Sequence, residues 1–498
     1  MMENTYEGYK AHLQKIAHLN STMALLSWDQ ETNMPKKGAA IRAQQLSTLS
    51  TMVHELFTDL RFENLVNHLL AKSCFGFKEM RNLQLTKESI EENKKLNSDF
   101  IKRAAIARSE AFQSWEQARR EERFSVFIPS LQKIVDLEKE KAELLGYNDH
   151  PYDALLNLYE KDSTVHQLKQ VFTQVKNHIV PFIQEISANE QVDDSFLYQY
   201  YNKDAQFDFS LELLNFMGYD FDAGRQDLST HPFTINFSAH DVRLTTRVNE
   251  YNLSEVIWST IHEGGHGLYE QGLPINHYGL PSGEYVSLGI HESQSRIWEN
   301  NIGRALPWWK FLYPKLQKVF PEQLGDVSLD QFYKAINKVQ PSLIRTSADE
   351  LTYHVHVMIR FEIECSLMEG VIEVTDLEEV WNEKYQDYLG VTPDKPTEGI
   401  LQDIHWSHGS LGYFPTYSVG SFYAAQLYAQ AEKDIPNLDE KLAQGKTNDF
   451  LTLMRKKIHQ YGKLYPADQL VERFSGESLN IKYFMDYVHE KYLKIYGF

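Results

Sequence analysis

The sequence predicts a mainly α protein, a single large helical body over residues 1–498 with a small β hairpin. Three features point there. Apolar residues recur at steps of three and four along most of the chain. Alternating β-branched runs are scarce, and the best of them spans 233–248. No stretch rich in Pro, Gly or Ser separates the helical segments. The roughly three domains that such a length suggests therefore have no linkers to divide them.

Taken in order, residues 78–123 are rich in Lys, Glu, Arg and Gln with few breakers, and suit long, mostly solvent-facing helices. After Pro129 and Ser130, the stripe Leu131, Ile134, Val135 and Leu137 predicts a helix that Gly146 stops. A longer stripe starts at Val165 and includes Leu168, Phe172, Val175, Ile179, Ile183 and Ile186. Asp162, Ser163 and Thr164 are its N-cap candidates, and Pro181 inside the pattern predicts a kink or an end. Ile235, Phe237 and Ala239, then Val242 and Leu244, nearly alternate with a slip between them, which reads as a short hairpin or a bent edge strand. His354 and His356, two apart in the helical stretch 348–364, face different sides and fit core or surface roles. Three Gly and one Pro over 409–420 predict a mobile loop.

Composition narrows the function. Hydrophobic residues at 42% are enough to build a core and exclude a disordered chain. A formal charge of −19 argues against nucleic acid, whose phosphates need a basic surface. No stretch approaches the ~18 apolar residues of a membrane span. Two cysteines, Cys74 and Cys365, cannot build a disulfide framework. Met1–Lys10 lacks a basic head followed by an apolar core. Together these predict a cytoplasmic protein.

The sharpest local signal is Ser259-Thr-Ile-His-Glu-Gly-Gly-His-Gly-Leu268. On a helix, His262 and His266 stack one turn apart and reach one Zn2+, while Glu263 lies about 100° around, beside the open coordination position. Ser254 is the expected N-cap. Gly264 and Gly265 each weaken the helix by roughly 1 kcal/mol, which predicts a close approach by substrate or a neighbouring backbone. A hydrolytic zinc site needs a third protein ligand. Glu292, 26 residues after His266 in His-Glu-Ser-Gln-Ser-Arg, is the preferred one, and His291 is its rival. Zinc brings the pKa of a bound water to about 7, and Glu263 would take the water's proton and pass it to the leaving amine. That chemistry is peptide or amide hydrolysis.

The chain resembles the carboxypeptidase Taq family of metallocarboxypeptidases along its whole length. The motifs that carry the resemblance are His231-Pro232-Phe233, Asp241-Val-Arg243-Leu-Thr245, His262-Glu263-Gly-Gly-His266, His291-Glu292-Ser293-Gln294, Ile344-Arg345-Thr-Ser-Ala348-Asp349 and Gly399-Ile-Leu-Gln402-Asp403-Ile-His405-Trp406. One departure is Tyr159-Glu160-Lys161-Asp162, where the family pattern would have Pro-Gly after Tyr-Glu. The resemblance implies a helical body whose two lobes flank a deep substrate groove, similar to neurolysin and angiotensin-converting enzyme. It also implies removal of single C-terminal residues with broad specificity, use of Zn2+ or Co2+, and a homodimer. An endo-acting oligopeptidase or dipeptidyl carboxypeptidase is the alternative on the same scaffold; a catalytically silent binding protein is a further one.

A carboxypeptidase must recognise a free carboxylate, for which the arginine fork is the best partner. Arg345 is carried over for this from its motif, against an ion pair with Asp349 one turn away. Arg243, with Arg247, is the second choice, against an exposed strand face. His405 would hold the substrate carbonyl or the oxyanion, oriented by a carboxylate such as Asp403. Tyr417 and Tyr413 are phenol donors near the site, with Tyr417 preferred and simple packing the alternative for both. A second metal pair of His405 and His408 has no third ligand.

Overall fold

The computed structural model describes residues 5–497. Met1–Asn4 and Phe498, the outer limits of the expected body and part of the leader reading, lie outside them. The described residues form 21 α-helices, shorter helical turns and three strands. They pack as two compact units, each assembled from three separate stretches of chain: Met1–Glu91, Asp193–Ile336 and Tyr423–Asn480 in the first, Glu92–Val192, Asn337–Phe422 and Ile481–Phe498 in the second. Among the described residues no helix is long and apolar enough to cross a membrane.

In the first unit, Tyr6–Thr32 begins at an N-cap whose Thr5 side chain accepts from the Gly8 amide. Its inner face joins Phe62, Leu65, Val66, Leu69 and Leu83 in one buried cluster around Tyr9 and Leu13. The sheet has strands β1 (Gly224–Leu228), β2 (Thr234–Ser238) and β3 (Asp241–Thr246) in the order β1-β3-β2. The hairpin β2–β3 is antiparallel, with a register shift at Asn236/Ser238, and the slip between Ala239 and Val242 is the turn that joins the two strands. Strand β3 is central, not an edge, because β1 pairs with it in parallel. The polar run Gly-Arg-Gln-Asp in β1 gives no alternation to read. Against β3 packs the helix Leu253–Gln271: Thr246 Oγ1 lies 2.7 Å from Ser259 Oγ and 3.1 Å from Thr260 Oγ1. Its N-cap is Asn252, whose side chain accepts from the Ser254 amide, so the expected cap is two residues late. A Cβ on Gly267 would meet Leu244 Cδ2 at 2.8 Å and Tyr219 Cε2 at 3.0 Å, so glycine leaves room here for side chains packed between helix and sheet.

In the second unit, the helix Ser98–Glu121 is largely solvent-facing, and Ile128–Leu145 ends at Gly146, whose φ is 82°. The helix Val165–Ser187 starts at a Thr164–Gln167 capping box and runs on through Pro181, which neither ends nor shortens it. The helix Thr352–Glu369 buries fifteen of its eighteen residues, so its polar side chains must find partners inside. His354 Nδ1 meets Ser418 Oγ at 2.9 Å and His356 Nδ1 meets Tyr385 OH at 2.8 Å; both histidines belong to the core. The expected 409–420 loop is only half loop. Gly409 and Gly412 make left-handed turns, and Pro415 then opens the helix Pro415–Asp434, where a fixed φ and a missing amide cost nothing.

Candidate active site

Helix formation puts His262, Glu263 and His266 in adjacent turns of Leu253–Gln271. Residue 265 brings the second helix in. A Cβ there would lie 2.5 Å from Ser295 Cα and 2.8 Å from the Gln294 carbonyl, so a neighbouring backbone is what approaches the glycines. That contact seats the helix Leu288–Arg296 and its Glu292. The nitrogens of His262 and His266 and a carboxylate oxygen of Glu292 all lie within 4.8 Å of one another. Glu292 Oε2 is 3.8 Å from His262 Nε2 and 3.6 Å from His266 Nε2. This is the one group of metal-binding side chains so gathered among the described residues. His408 is exposed and stacks on Phe112 at 5.7 Å, away from any such group.

Each of the three side chains is held from behind. His262 Nδ1 lies 2.9 Å from Glu299 Oε2, and His266 Nδ1 lies 3.1 Å from the His291 carbonyl, which leaves both Nε2 atoms aimed at the shared point. Arg296 donates to Glu292 Oε1 at 2.6 Å, leaving Oε2 for the same point. Glu299 sits in a π turn, Ile297–Ile302, and also accepts from Arg296 at 3.1 Å. Burial would raise its carboxyl, but Arg296 and His262 outweigh this and hold it well below the usual range. His291, the rival ligand, turns its Nε2 to Glu270 at 2.8 Å and its Nδ1 to the back of His266, so it stands behind the triad.

Glu263 is buried on the same helix, and Thr234 of β2 donates to its Oε2 at 2.6 Å. Burial raises its carboxyl pKa against the opposing pull of His262 and Thr234. A more basic carboxylate is the better proton acceptor. Ser295 Oγ lies 3.1 Å from His266 Nε2, and with Glu299, Thr234 and Glu270 it is a supporting residue that sequence reasoning missed.

Arg243 lies in central β3, paired to both oxygens of Asp241 at 2.9 Å and stacked 4.7 Å from Trp28 and 4.8 Å from Phe237. Its guanidinium is taken up locally. Arg247 reaches Glu255 at 3.3 Å.

The second unit gathers Arg345, His405, Tyr413 and Tyr417. Arg345 donates through Nε and Nη2 to Asp403 Oδ1, at 3.0 and 2.8 Å, and through Nη1 to Tyr353 OH at 3.2 Å. It does not pair with Asp349, which instead accepts from the Leu351 and Thr352 amides at the start of the next helix. Tyr417 stacks 4.9 Å from the Arg345 guanidinium, and its hydroxyl lies 3.3 Å from His405 Nε2. The Tyr413 ring centre is 5.3 Å from that of Tyr417 and 5.3 Å from that of His405. Burial brings the His405 imidazole down to about 4 despite Asp403, so it is neutral near pH 7. Asp403 Oδ1 stands 3.9 Å from His405 Nδ1, beyond a hydrogen bond, because Arg345 and Arg360 hold the carboxylate; the expected orienting bond is absent.

Two imidazoles and a carboxylate around one point, with a buried acid on the next residue, are the donor set of a hydrolytic metal centre. The sequence model of the carboxypeptidase Taq (M32) metallopeptidase family matches residues 8–492. The chain belongs to this family and is a metallocarboxypeptidase, a peptide hydrolase. It is 40% identical over 486 residues to carboxypeptidase 1 of Bacillus subtilis, covering 97% of each chain. It is 40% identical over 514 residues to thermostable carboxypeptidase 1 of Thermus thermophilus, covering 99% of each. Among solved structures, the M32 carboxypeptidase from Deinococcus radiodurans superposes with a TM-score of 0.97 at 34% identity, covering 99% of both chains. A Pyrococcus furiosus carboxypeptidase does so with a TM-score of 0.96 at 37% identity, covering 99% of this chain and 100% of that one.

Proposed function

We propose that the protein releases single amino acids, with broad residue preference, from the free C-terminus of peptides, using Zn2+ that Co2+ can replace. The observation that supports this reading best is the convergence of His262 Nε2, His266 Nε2 and Glu292 Oε2 beside buried Glu263, in a chain of this family. His262, His266 and Glu292 would hold the ion: neutral imidazoles and a carboxylate are the ligands it takes, and each is already oriented by a second group. When bound, the ion supplies an acidified water and a Lewis acid for the scissile carbonyl.

Glu263 accepts the proton of the attacking water and delivers it to the departing amine. Thr234 keeps its carboxylate turned in place. Arg345 is assigned to the peptide's terminal carboxylate. Neutral His405 and Tyr417, with Tyr413 beside them, are assigned as donors to the substrate carbonyl oxygen. Arg243 is assigned to shaping the strand β2–β3 region, since Asp241 occupies its fork. A homodimer is proposed on family resemblance, and a cytoplasmic location on the two free cysteines.

Mass spectrometry of a peptide ladder incubated with Zn2+ or Co2+ tests the reading. Stepwise loss of single C-terminal residues is expected. Dipeptide or internal products would replace it with the dipeptidyl or endo-acting alternative.

A further inference from the structure

Asp403 is shared between two arginines. Arg345 holds Oδ1 as described, and Arg360 donates to Oδ2 from Nε at 2.7 Å, with Nη2 in ion-pair contact with the same oxygen at 2.6 Å. Arg360 is fully buried, and its Nη1 donates to the His356 carbonyl at 2.8 Å and to Tyr385 OH at 3.1 Å. The Trp381 ring lies 4.5 Å from its guanidinium. One carboxylate thus faces two guanidinium groups that never lose their charge. His356 and His405 add none, since burial lowers both. Of the next two acids along the same helix, Glu362 pairs with Lys384 at 2.5 Å, and Glu364 accepts from Tyr152 OH, Trp406 Nε1 and the Gly412 amide, so neither is the partner of an arginine in this cluster. The cluster of Arg345, Arg360 and Asp403 therefore carries one net positive charge in a buried setting, where an unmatched charge is costly and an arriving anion relieves it.

We propose that Arg360 is a positioning and specificity residue: by neutralising Asp403 it keeps the charge of Arg345 available for the terminal carboxylate of the peptide. Without Arg360, Asp403 would fix Arg345 and cancel it at the same time. The inference rests on the assignment of Arg345 to that carboxylate.

A charge-balance cycle on the metal-loaded enzyme tests it, with an N-blocked peptide bearing a free carboxylate. Arg360→Met brings the cluster to zero, and KM should rise at least about tenfold with kcat little changed, the size expected of a charged hydrogen bond. Adding Asp403→Asn restores one positive charge while keeping an oxygen for Arg345, and KM should return to within about threefold of wild type. Arg360→Lys, which keeps charge and loses the fork, should stay near wild type in KM, and serves if the methionine variant does not fold. Arg345→Met separates the two levels of the claim. If it raises KM while Arg360→Met leaves it unchanged, or if the double variant is as impaired as the single one, the role of Arg360 is overturned. If Arg345→Met itself leaves KM unchanged, the carboxylate assignment falls, and this inference with it.

Discussion

Replacing Gly265 by Ala should cost metal binding more than it costs folding. The added Cβ would sit 2.5 Å from Ser295 Cα, 2.8 Å from the Gln294 carbonyl and 3.1 Å from the Ser295 amide, all backbone atoms that cannot rotate away. Ordinary carbon contacts lie at ~3.5–4.0 Å, so the helices Leu253–Gln271 and Leu288–Arg296 must part by about 1 Å. Alanine regains about 1 kcal/mol of helix propensity, while overpacking costs about 1–3 kcal/mol, so the net loss of stability is small to moderate. Metal geometry is less forgiving. Ligand distances tolerate only about 0.2 Å, and Glu292 rides on the displaced helix, so affinity should fall by roughly 10–100-fold. The control is Gly264→Ala, whose Cβ meets Leu214 Cδ2 at 2.7 Å and Met217 Cε at 2.8 Å, the movable ends of side chains. Chelator competition gives the metal affinity, and thermal unfolding of the metal-free protein gives stability. Wild-type affinity in Gly265→Ala, or an equal loss in both variants, would refute the claim that this backbone contact sets the triad.

Two further outcomes follow from the partners of the site. Glu299→Gln removes the charge behind His262 Nδ1 and should weaken metal binding by about tenfold or more, measured by the same competition. Glu364 is fully buried, and burial raises its carboxyl from 4.5 to about 7 against the donors Gly412, Tyr152 and Trp406. The folded state therefore binds this proton more tightly than the unfolded one, and the group's contribution to stability declines as pH rises from 4.5 through 7. The full loss is about 3 kcal/mol. Glu364→Gln should flatten the fall in unfolding temperature across that window, and an unchanged slope would show that Glu364 is ionised throughout.

The triad was legible because its signals are local. A four-residue spacing places two histidines on one helical face, and Gly-Gly between them marks a close neighbour, which is the Gln294–Ser295 backbone. Glu299 was not legible, because a π turn sets its facing and no simple period encodes such a turn. Strand β1 was missed because it is polar and gains its place by pairing with β3. Arg345 shows how local reading fails. Four-residue spacing suggested Asp349, but no α-helix runs between them. Arg345 lies in a single 3-10 turn and Asp349 accepts from the Leu351 and Thr352 amides where the following helix begins, while the true partner, Asp403, is far along the chain. The mobile loop was half wrong for a related reason: Pro415 opens a helix there instead of breaking one.

The central claim, that His262, His266 and Glu292 hold the metal while Glu263 moves the proton, is tested most directly by Glu263→Gln. Metal content and release of C-terminal residues would be measured on the same preparation. One metal per chain with turnover lowered by a factor of about 10^2 or more is the predicted result. Full metal with wild-type turnover would contradict it.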